Sequence, residues 1–410
     1  MPESLDETYE RILREIRKPN QGHAHRLLQC LIAAVRPLEV RELAEVLAFD
    51  FDTEGIPKLN LGWRWDDQEE AVMSACSSLV MIVKFGDSRL VQFSHFSVKE
   101  FLTADRLAEP IRDVSRYHIR LEAAHTILVR ACLGVLLQLD DRIDSGSMKS
   151  FPLARYAAQY WTRHALIENV SSRIKDGMEC LFDADKPHFA TWLWIYDEDR
   201  WCSSVSTMRP GKLRVVPLYY AARFGFRDLA EHLIARHPEH VNARGGNENT
   251  PIHVAAFEGH CDILSLLIEH GADVNSDQGE DGNTPLIQTS RKARLEAGLF
   301  LLDRGADIEA RSRFDHTALT YAALKGHVEF ARMLLERGAA IDARDVFDRT
   351  PLHYAAFYGQ KQVVQLFLEH GADVNARDKS GKTPSELGSQ NGFQEIVELL
   401  SVYVAKSVNQ

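Results

Sequence analysis

The residues of this chain with the clearest chemical potential are two histidines, each placed three positions after a threonine. The segments read Thr250-Pro-Ile-His253 and Thr350-Pro-Leu-His353. Because an imidazole ligates metals and exchanges protons near neutral pH, such residues are the first candidates for a metal or catalytic centre. The sequence holds no His-Glu-x-x-His, no Gly-x-Ser-x-Gly and no Cys-x-x-Cys that would complete such a centre. Whether the two histidines perform chemistry or support the structure therefore depends on the secondary-structure elements that carry them.

Two shorter segments also contain residue types that perform chemistry. His95 and Ser97 resemble a base and a nucleophile, but at the predicted end of a strand they are spaced as packing residues. Gly381-Lys382-Thr383 ends like a phosphate-binding loop, but position 376 holds alanine where such a loop requires glycine. We predict no active site, cofactor, metal or small-molecule substrate, and therefore no enzyme.

Net charge and cysteine content limit the kinds of molecule that this protein is expected to bind. The chain has 410 residues, a formal net charge of −11 and six scattered cysteines. An acidic protein with interspersed charges has no bulk attraction to nucleic acid or anionic membranes, and scattered cysteines favour reduced thiols. The acidic N-terminus lacks the apolar stretch of a signal peptide, and no apolar run is long enough to cross a bilayer. We expect a cytoplasmic or nuclear protein without a membrane partner.

The histidine segments belong to a pattern that recurs along the C-terminal half. Its marker is a threonine followed by proline, or once by alanine, at steps of 34, 33, 33 and 33 residues: Thr250, Thr284, Thr317, Thr350 and Thr383. Val216-Pro217 lies one period upstream, so six units fit between 212 and 408. In each unit the threonine caps a short helix and the proline fits its first turn. A unit this small cannot bury its own apolar face, so the period predicts a stacked array.

The residue pattern of these units closely resembles the ankyrin repeat. The resemblance rests on Thr-Pro-Ile-His253, Thr-Pro-Leu-His353, the turn glycines and Gly-Ala-Asp at 271, 305 and 371. It implies that each Thr–His pair hydrogen-bonds the hairpin to its helix pair and to the neighbouring unit. It also implies an array that binds other proteins, so His253 and His353 are predicted to be structural.

The resemblance also indicates where a partner would bind. In ankyrin arrays, the hairpin tips and the starts of the inner helices form a concave face. Aromatic residues and arginines are the usual anchors of interfaces. The matching positions here are Phe257, Arg313, Phe314, His316, Lys325, Phe347, Arg349, Phe357 and Tyr358. For Phe257 and Phe357 the alternative is packing between neighbouring units.

Two units depart from the pattern. The third, beginning at Thr284, lacks the histidine, both alanines and the turn glycine, so we expect it to be the softest point of the stack. The last, beginning at Thr383, has polar residues at positions that are apolar elsewhere, as a terminal unit facing water requires.

The first hundred residues carry a different pattern. Apolar spacing predicts helices over 5–16, 23–35, 40–49 and 69–77, followed by a hairpin of two strands around Gly86-Asp87. Several helices and then a hairpin is the order of a winged helix.

Arg36-Pro-Leu-x-Val-Arg-Glu-Leu-Ala-Glu and Val91-Gln-Phe-Ser-His-Phe-Ser-Val-Lys-Glu-Phe-Leu resemble the winged-helix segment of fungal NLR-like (NACHT-ankyrin) proteins. The resemblance implies a regulatory winged helix. In that family an ATPase lies upstream of this segment, but no phosphate-binding loop occurs in this sequence.

The sequence thus predicts a mainly α protein with a winged-helix domain (1–105), an α-helical connector (106–211) and six ankyrin repeats (212–408). Its predicted function is non-catalytic protein binding through the concave face, as a scaffold. Two alternatives stay open. One is an accessory transcriptional regulator whose winged helix contacts DNA, although the candidate recognition helix from Arg41 carries one arginine against two glutamates. The other is a fragment of a STAND signalling ATPase that works with a separate NTPase partner.

Overall fold

The computed structural model describes residues 5–53, 55–109, 113–144, 146–195, 216–245 and 249–407. The chain divides into two compact units, Met1–Leu213 and Arg214–Gln410. The predicted boundary at 211/212 lies outside the described residues.

In its described residues, the N-terminal unit is mainly helical, with five short strands in its first half. Its helices are α1 (Leu5–Glu15), α2 (Gln21–Ala33), α3 (Val40–Glu45), α4 (Gln68–Cys76), α5 (Phe96–Thr103), α6 (Leu121–Leu136), α7 (Ala154–Ala165), α8 (Val170–Arg173), α9 (Lys175–Leu181) and α10 (His188–Ile195). Its strands are β1 (Leu38–Glu39), β2 (Phe49–Asp50), β3 (Lys58–Leu59), β4 (Val80–Phe85) and β5 (Ser88–Phe93).

The winged helix predicted from the sequence is confirmed. Strands β4 and β5 pair antiparallel around the predicted turn, with Val80 opposite Phe93 and Phe85 opposite Ser88. The sheet has a third strand that the sequence analysis did not predict, because β1 pairs with the outer edge of β5. A strand of two residues is too short to show an alternating pattern.

The helices after the winged helix pack against it in the same compact unit. Helix α6 lies on α2 and on α7. Gly134 of α6 sits so close to Phe49 and Pro57 that an added Cβ would lie 2.6 Å from the Pro57 carbonyl oxygen. The buried Tyr156 hydroxyl accepts a hydrogen bond from the Val35 N–H at 3.1 Å. Trp161 and Trp192 are buried and pack edge to face at 5.7 Å, so they form part of the core.

The C-terminal unit consists of consecutive helix pairs. Within the described residues the inner helices are α11 (Pro217–Phe224), α13 (Pro251–Glu258), α15 (Pro285–Arg291), α17 (Ala318–Lys325), α19 (Pro351–Phe357) and α21 (Pro384–Gln390). The outer helices are α12 (Arg227–Arg236), α14 (Cys261–Glu269), α16 (Leu295–Asp303), α18 (Val328–Glu336), α20 (Lys361–Glu369) and α22 (Gln394–Ser407). Each inner helix packs on the next inner helix along the chain, as a stacked array requires.

The turn between the two helices of a pair needs a left-handed backbone. Glycine supplies it in five pairs, as at Gly259 (φ 87°) and Gly326 (φ 77°). In the third pair the same slot holds Ala293, with φ 53°. A Cβ is crowded by the backbone in this region, so the third unit contains a strained turn.

Replacing Ala293 with glycine is therefore expected to raise the free energy of unfolding by about 0.5–1 kcal/mol, after the entropy of the freed chain is subtracted. Chemical unfolding followed by circular dichroism measures the change. The matched control is Ala340→Gly at an exposed loop position that lacks positive φ, where the same change should destabilise. Equal effects at the two positions would show that the turn at 293 is not strained.

Candidate functional site

The two histidines of the repeating motif are part of the scaffold. In α13, the Thr250 Oγ1 and His253 Nδ1 atoms are 2.8 Å apart, and His253 Nε2 lies 3.0 Å from the Ser276 carbonyl oxygen of the next hairpin. His353 repeats the arrangement with Thr350 and the Lys382 carbonyl. Burial lowers the pKa of His253 to about 4 and also lowers the pKa of His353, so both imidazoles are neutral. The predicted bridging role is confirmed.

The last three hairpins between successive helix pairs are each closed by one side chain. Ser312 Oγ accepts from the N–H groups of Phe314 and His316. Thirty-three residues later, Asp345 Oδ1 accepts from the N–H groups of Phe347 and Arg349, both at 2.8 Å. Asp378 does the same in the following hairpin. These side chains fix the backbone that carries the predicted partner-binding residues.

Asp345 has a second role because its other oxygen enters a buried polar network. Its carboxylate is fully buried, and Oδ2 accepts from the Tyr354 hydroxyl at 2.5 Å and lies 3.3 Å from His316 Nε2. His316 Nε2 also lies 3.0 Å from the Tyr354 oxygen. Burial raises the pKa of Tyr354 and lowers that of His316, so the tyrosine keeps its proton and the imidazole is neutral. The network ties α19 to the hairpins before it.

Three large aromatic side chains of the same two repeats are exposed to solvent. Phe314, Phe347 and Tyr358 have 45%, 50% and 47% of their surface accessible to solvent. The hairpin tips are joined by backbone hydrogen bonds, from the Val346 N–H to the Phe314 carbonyl and from the Lys379 N–H to the Phe347 carbonyl. The phenylalanines at 314 and 347 therefore occupy the same position on adjacent, connected tips.

Arg349 holds the aromatic residues of its repeat in place. Its Nε atom donates to Asp378 Oδ2 at 3.3 Å. Its guanidinium lies 5.8 Å from the ring centre of Phe347 and 5.9 Å from that of Phe357. Phe357 in turn packs against Tyr358 at 4.9 Å. A half-buried arginine in such contacts gives cation–π stabilisation and fixes the orientation of the rings.

The structure thus brings together six of the nine predicted partner-binding residues. We call this group the tip cluster, and it consists of Phe314, His316, Phe347, Arg349, Phe357 and Tyr358. Its exposed members are Phe314, Phe347 and Tyr358, whereas His316 and Arg349 act as supports.

The other three predicted residues have different surroundings. Phe257 is half-buried, with the Lys292 ammonium 4.9 Å from its ring centre, so it packs against the next unit, as the alternative interpretation holds. Lys325 is exposed at the end of α17. Arg313 is exposed and borders a cavity of about 360 Å³ at the earlier hairpins, which Arg244 and Arg311 also line.

Sequence reasoning missed a row of exposed arginines along the hairpins. Arg311 donates to the Arg344 carbonyl at 2.7 Å, Arg344 to the Arg377 carbonyl at 3.1 Å, and Arg377 to the Gly381 carbonyl at 2.6 Å. The row thus places three exposed guanidinium groups at equivalent positions of successive hairpins. The 33-residue spacing of Arg311, Arg344 and Arg377 was the feature of the sequence that could have revealed this row.

The two short segments with residue types of catalytic centres perform capping roles. His95 is the N-cap of α5, where its Nδ1 accepts from the Ser97 N–H at 3.2 Å, so it does not end a strand as predicted. The Ser97 hydroxyl lies 2.7 Å from the Tyr9 hydroxyl. Gly381 forms the tip of the last hairpin with φ 79°, and Thr383 caps α21. The prediction of a repeat turn at Gly381-Lys382-Thr383 is confirmed.

The winged helix presents acidic groups where a DNA reader needs basic ones. Helix α3, which contains the candidate recognition residue Arg41, packs against α4. The first turn of α4 contains Glu69 and Glu70. A cleft of about 780 Å³ beside it is lined by Glu39, Val40, Arg41, Asp66, Asp67, Gln68, Glu69, Asp87, Ser88 and Arg89. Both arginines of the cleft are bonded to its glutamates, which leaves the surface acidic.

Comparison with known proteins agrees with both parts of this architecture. Residues 218–312 and 319–410 match the family model for ankyrin repeats (3 copies). Residues 9–111 match the model for the winged helix domain of GPI inositol-deacylase. The C-terminal half of the chain is therefore an ankyrin-repeat array, and a winged-helix domain precedes it. Ankyrin repeats indicate protein–protein interaction and thus a protein partner.

One curated relative shares much of the chain. The azaphilone pigments biosynthesis cluster protein L of Monascus ruber is 32% identical over 268 residues, which cover 60% of this chain and 54% of that protein. The chain thus spans about half the length of the relative that it matches. In the described part of the chain, no helix combines the length and apolarity needed to span a membrane.

Proposed function

We propose that this chain is a non-catalytic scaffold that binds a protein partner through the tip cluster of its ankyrin repeats. The observation that carries the proposal is the set of three exposed aromatic rings, Phe314, Phe347 and Tyr358, on two connected repeats. Exposed aromatic residues beside arginines are typical anchors of interfaces. The buried network of Asp345, Tyr354 and His316 supports these anchors without leaving an acid–base group free for catalysis.

The tip cluster can be tested with one triple variant, Phe314→Ala/Phe347→Ala/Tyr358→Ala, in a tagged form of the 410-residue chain. If these rings are the anchors, recovery of the partner should fall at least about tenfold, which corresponds to about 1.4 kcal/mol of binding free energy. The measurement is quantitative mass spectrometry of proteins retained from an extract of the source cells.

A control removes exposed apolar side chains of the third and sixth repeats, outside the tip cluster, Leu295→Ala/Val402→Ala. This variant should retain the partner. Equal recovery by the triple variant and the control would place the binding surface elsewhere on the chain.

For the N-terminal unit, we infer a regulatory or docking role of the NLR-like kind rather than DNA reading. The acidic cleft beside α4 supports this inference, since phosphate groups would face carboxylates there. We expect no mobility shift of duplex DNA by the full chain at low salt, where non-specific binding is strongest. A shift that decreases with added salt would restore the transcriptional alternative.

The name of the Monascus ruber relative places that protein in a pigment biosynthesis cluster. We propose a comparable setting for this chain, as an accessory protein of a fungal biosynthetic cluster that acts in the cytoplasm or nucleus. Interaction with cluster enzymes through the tip cluster would then be its contribution.

A further inference from the structure

The first repeat differs from the later ones in the short segment that follows its outer helix. In later repeats the outer helix is followed by Gly-Ala-Asp and then Val-Asn, as at Gly271-Ala-Asp-Val-Asn275. In the first repeat, His237-Pro-Glu-His240 replaces the three residues before Val241-Asn242. The alignment is structural as well, because Asn242 donates to the Gly271 carbonyl as Asn275 donates to the Gly305 carbonyl. One extra residue and two imidazoles thus enter the chain at this point.

These residues form a turn whose backbone is fixed. Pro238–His240 is a single 3₁₀ turn after α12, in which the His240 N–H donates to the His237 carbonyl at 3.0 Å. The side chain of Val241, which follows, is buried. The proline also restricts its own φ angle, so the loop is held before any ligand binds.

The side chains of the turn converge. The rings of His237 and His240 stack with their centres 4.9 Å apart. Glu239 Oε1 lies 3.4 Å from His237 Nδ1 and 3.9 Å from His240 Nε2. The three ligand atoms all lie within 4.8 Å of one another. The hydrogen bond between His237 Nδ1 and Glu239 Oε1 is long at 3.4 Å, and the 3.9 Å to His240 Nε2 exceeds the about 2.7–3.2 Å of good N–H···O bonds.

A tetrahedral metal ion would draw these atoms together. With bonds of about 2.0–2.1 Å, the ligand atoms of a zinc ion are about 3.3 Å apart. The 3.4 Å separation already matches this value, and the other two, which are at most 4.8 Å, would shorten on binding. Two histidines and one carboxylate, with water in the fourth position, form a common ligand set for Zn²⁺. The side chains of His237, His240 and Glu239 are 22%, 19% and 65% exposed, so the imidazoles are held while the carboxylate remains open to water.

We propose that His237, Glu239 and His240 form a binding site for a divalent transition-metal ion of the Zn²⁺ class. The site would reinforce the first repeat, which has no Thr–His bridge because Val216 and Tyr219 occupy the positions of Thr250 and His253. The ion would fasten the turn to the end of α12 and so stabilise this end of the array.

The test is titration of the metal-free full chain with ZnCl₂ by calorimetry, in a non-thiol reductant and against a chelator of known affinity. Wild type is expected to have one site that His237→Gln/His240→Gln lacks, with a Kd at least about a hundredfold tighter than any remaining binding. Glu239→Gln should weaken this site at least about tenfold. In thermal unfolding, Zn²⁺ should raise the Tm of wild type but not that of the double variant.

The matched control is His270→Gln, which removes an imidazole at the end of the next outer helix, α14. It should bind Zn²⁺ as wild type does. Equal Zn²⁺ binding by wild type and the double variant would overturn the proposal, as would the absence of any site in wild type. An unchanged Kd in Glu239→Gln would remove the carboxylate from the ligand set and refute the three-residue site.

Discussion

Replacing Asp345 with alanine is expected to lower the free energy of unfolding of the repeat unit by about 3 kcal/mol. The fully buried carboxylate accepts from the N–H groups of Phe347 and Arg349 and from the Tyr354 hydroxyl. Alanine leaves these three donors without their acceptor in a place that water does not reach freely. The cost of unpaired buried donors, rather than the lost attraction alone, makes the effect large.

Two further variants separate the roles of the carboxylate. Asp345→Ser should recover part of the loss, because Ser312 closes the equivalent hairpin with its hydroxyl. Tyr354→Phe should show only the loss of the buried hydroxyl contact, about 1–2 kcal/mol. Urea unfolding of the full chain, followed by circular dichroism, provides the comparison.

The control is Asp303→Ala, which breaks an exposed ion pair with Arg337 at 2.8 Å. Exposed pairs contribute about 0–1 kcal/mol, so this variant should unfold nearly as wild type does. If Asp345→Ala and Asp303→Ala shift the transition equally, the buried network does not hold the tip cluster. Because Phe347 depends on Asp345 for its backbone, Asp345→Ala should also weaken capture of the partner.

The structural features that the sequence predicted are those that depend on residues close together in the chain. The period of 33 or 34 residues placed every inner helix, because each threonine caps a helix and each proline fits its first turn. The same local reasoning marked the third unit as soft, and the strained turn at Ala293 is the physical basis for that expectation. The Thr–His bridges followed from the ankyrin resemblance and have the expected partners.

What the sequence did not show depends on contacts between elements distant in the chain. Asp345, Tyr354 and His316 meet only because one hairpin stacks on the next, and that register is set by packing rather than by any local motif. Strand β1 has two residues and no periodicity of its own. The acidic cleft of the winged helix was missed because the insertion with β2 and β3 separates α3 from α4, so local spacing did not show that Glu39, Glu69 and Asp87 line one cleft.

The two bridging histidines make the stability of the array depend on pH. Burial lowers the pKa of His253 from 6.5 to about 4 in the folded chain. On unfolding, the histidine returns to its ordinary pKa and takes up a proton wherever the pH is below 6.5. Stability from this residue is therefore complete above pH 6.5 and is lost as the pH falls to about 4. The loss is on the order of 3 kcal/mol, since each unit of pKa corresponds to about 1.4 kcal/mol.

The variant His253→Thr isolates this contribution, because Thr320 occupies the same slot two repeats later and pairs with Thr317. At pH 7.5 the variant should be less stable than wild type, since threonine cannot reach the Ser276 carbonyl. As the pH falls from 6.5 to 4, wild type should lose stability faster, so the difference between the two proteins should shrink. Every other titrating group is common to both and cancels in that difference. Parallel stability profiles over this range would mean that His253 binds its proton equally in the folded and unfolded chains, which the buried bridge forbids.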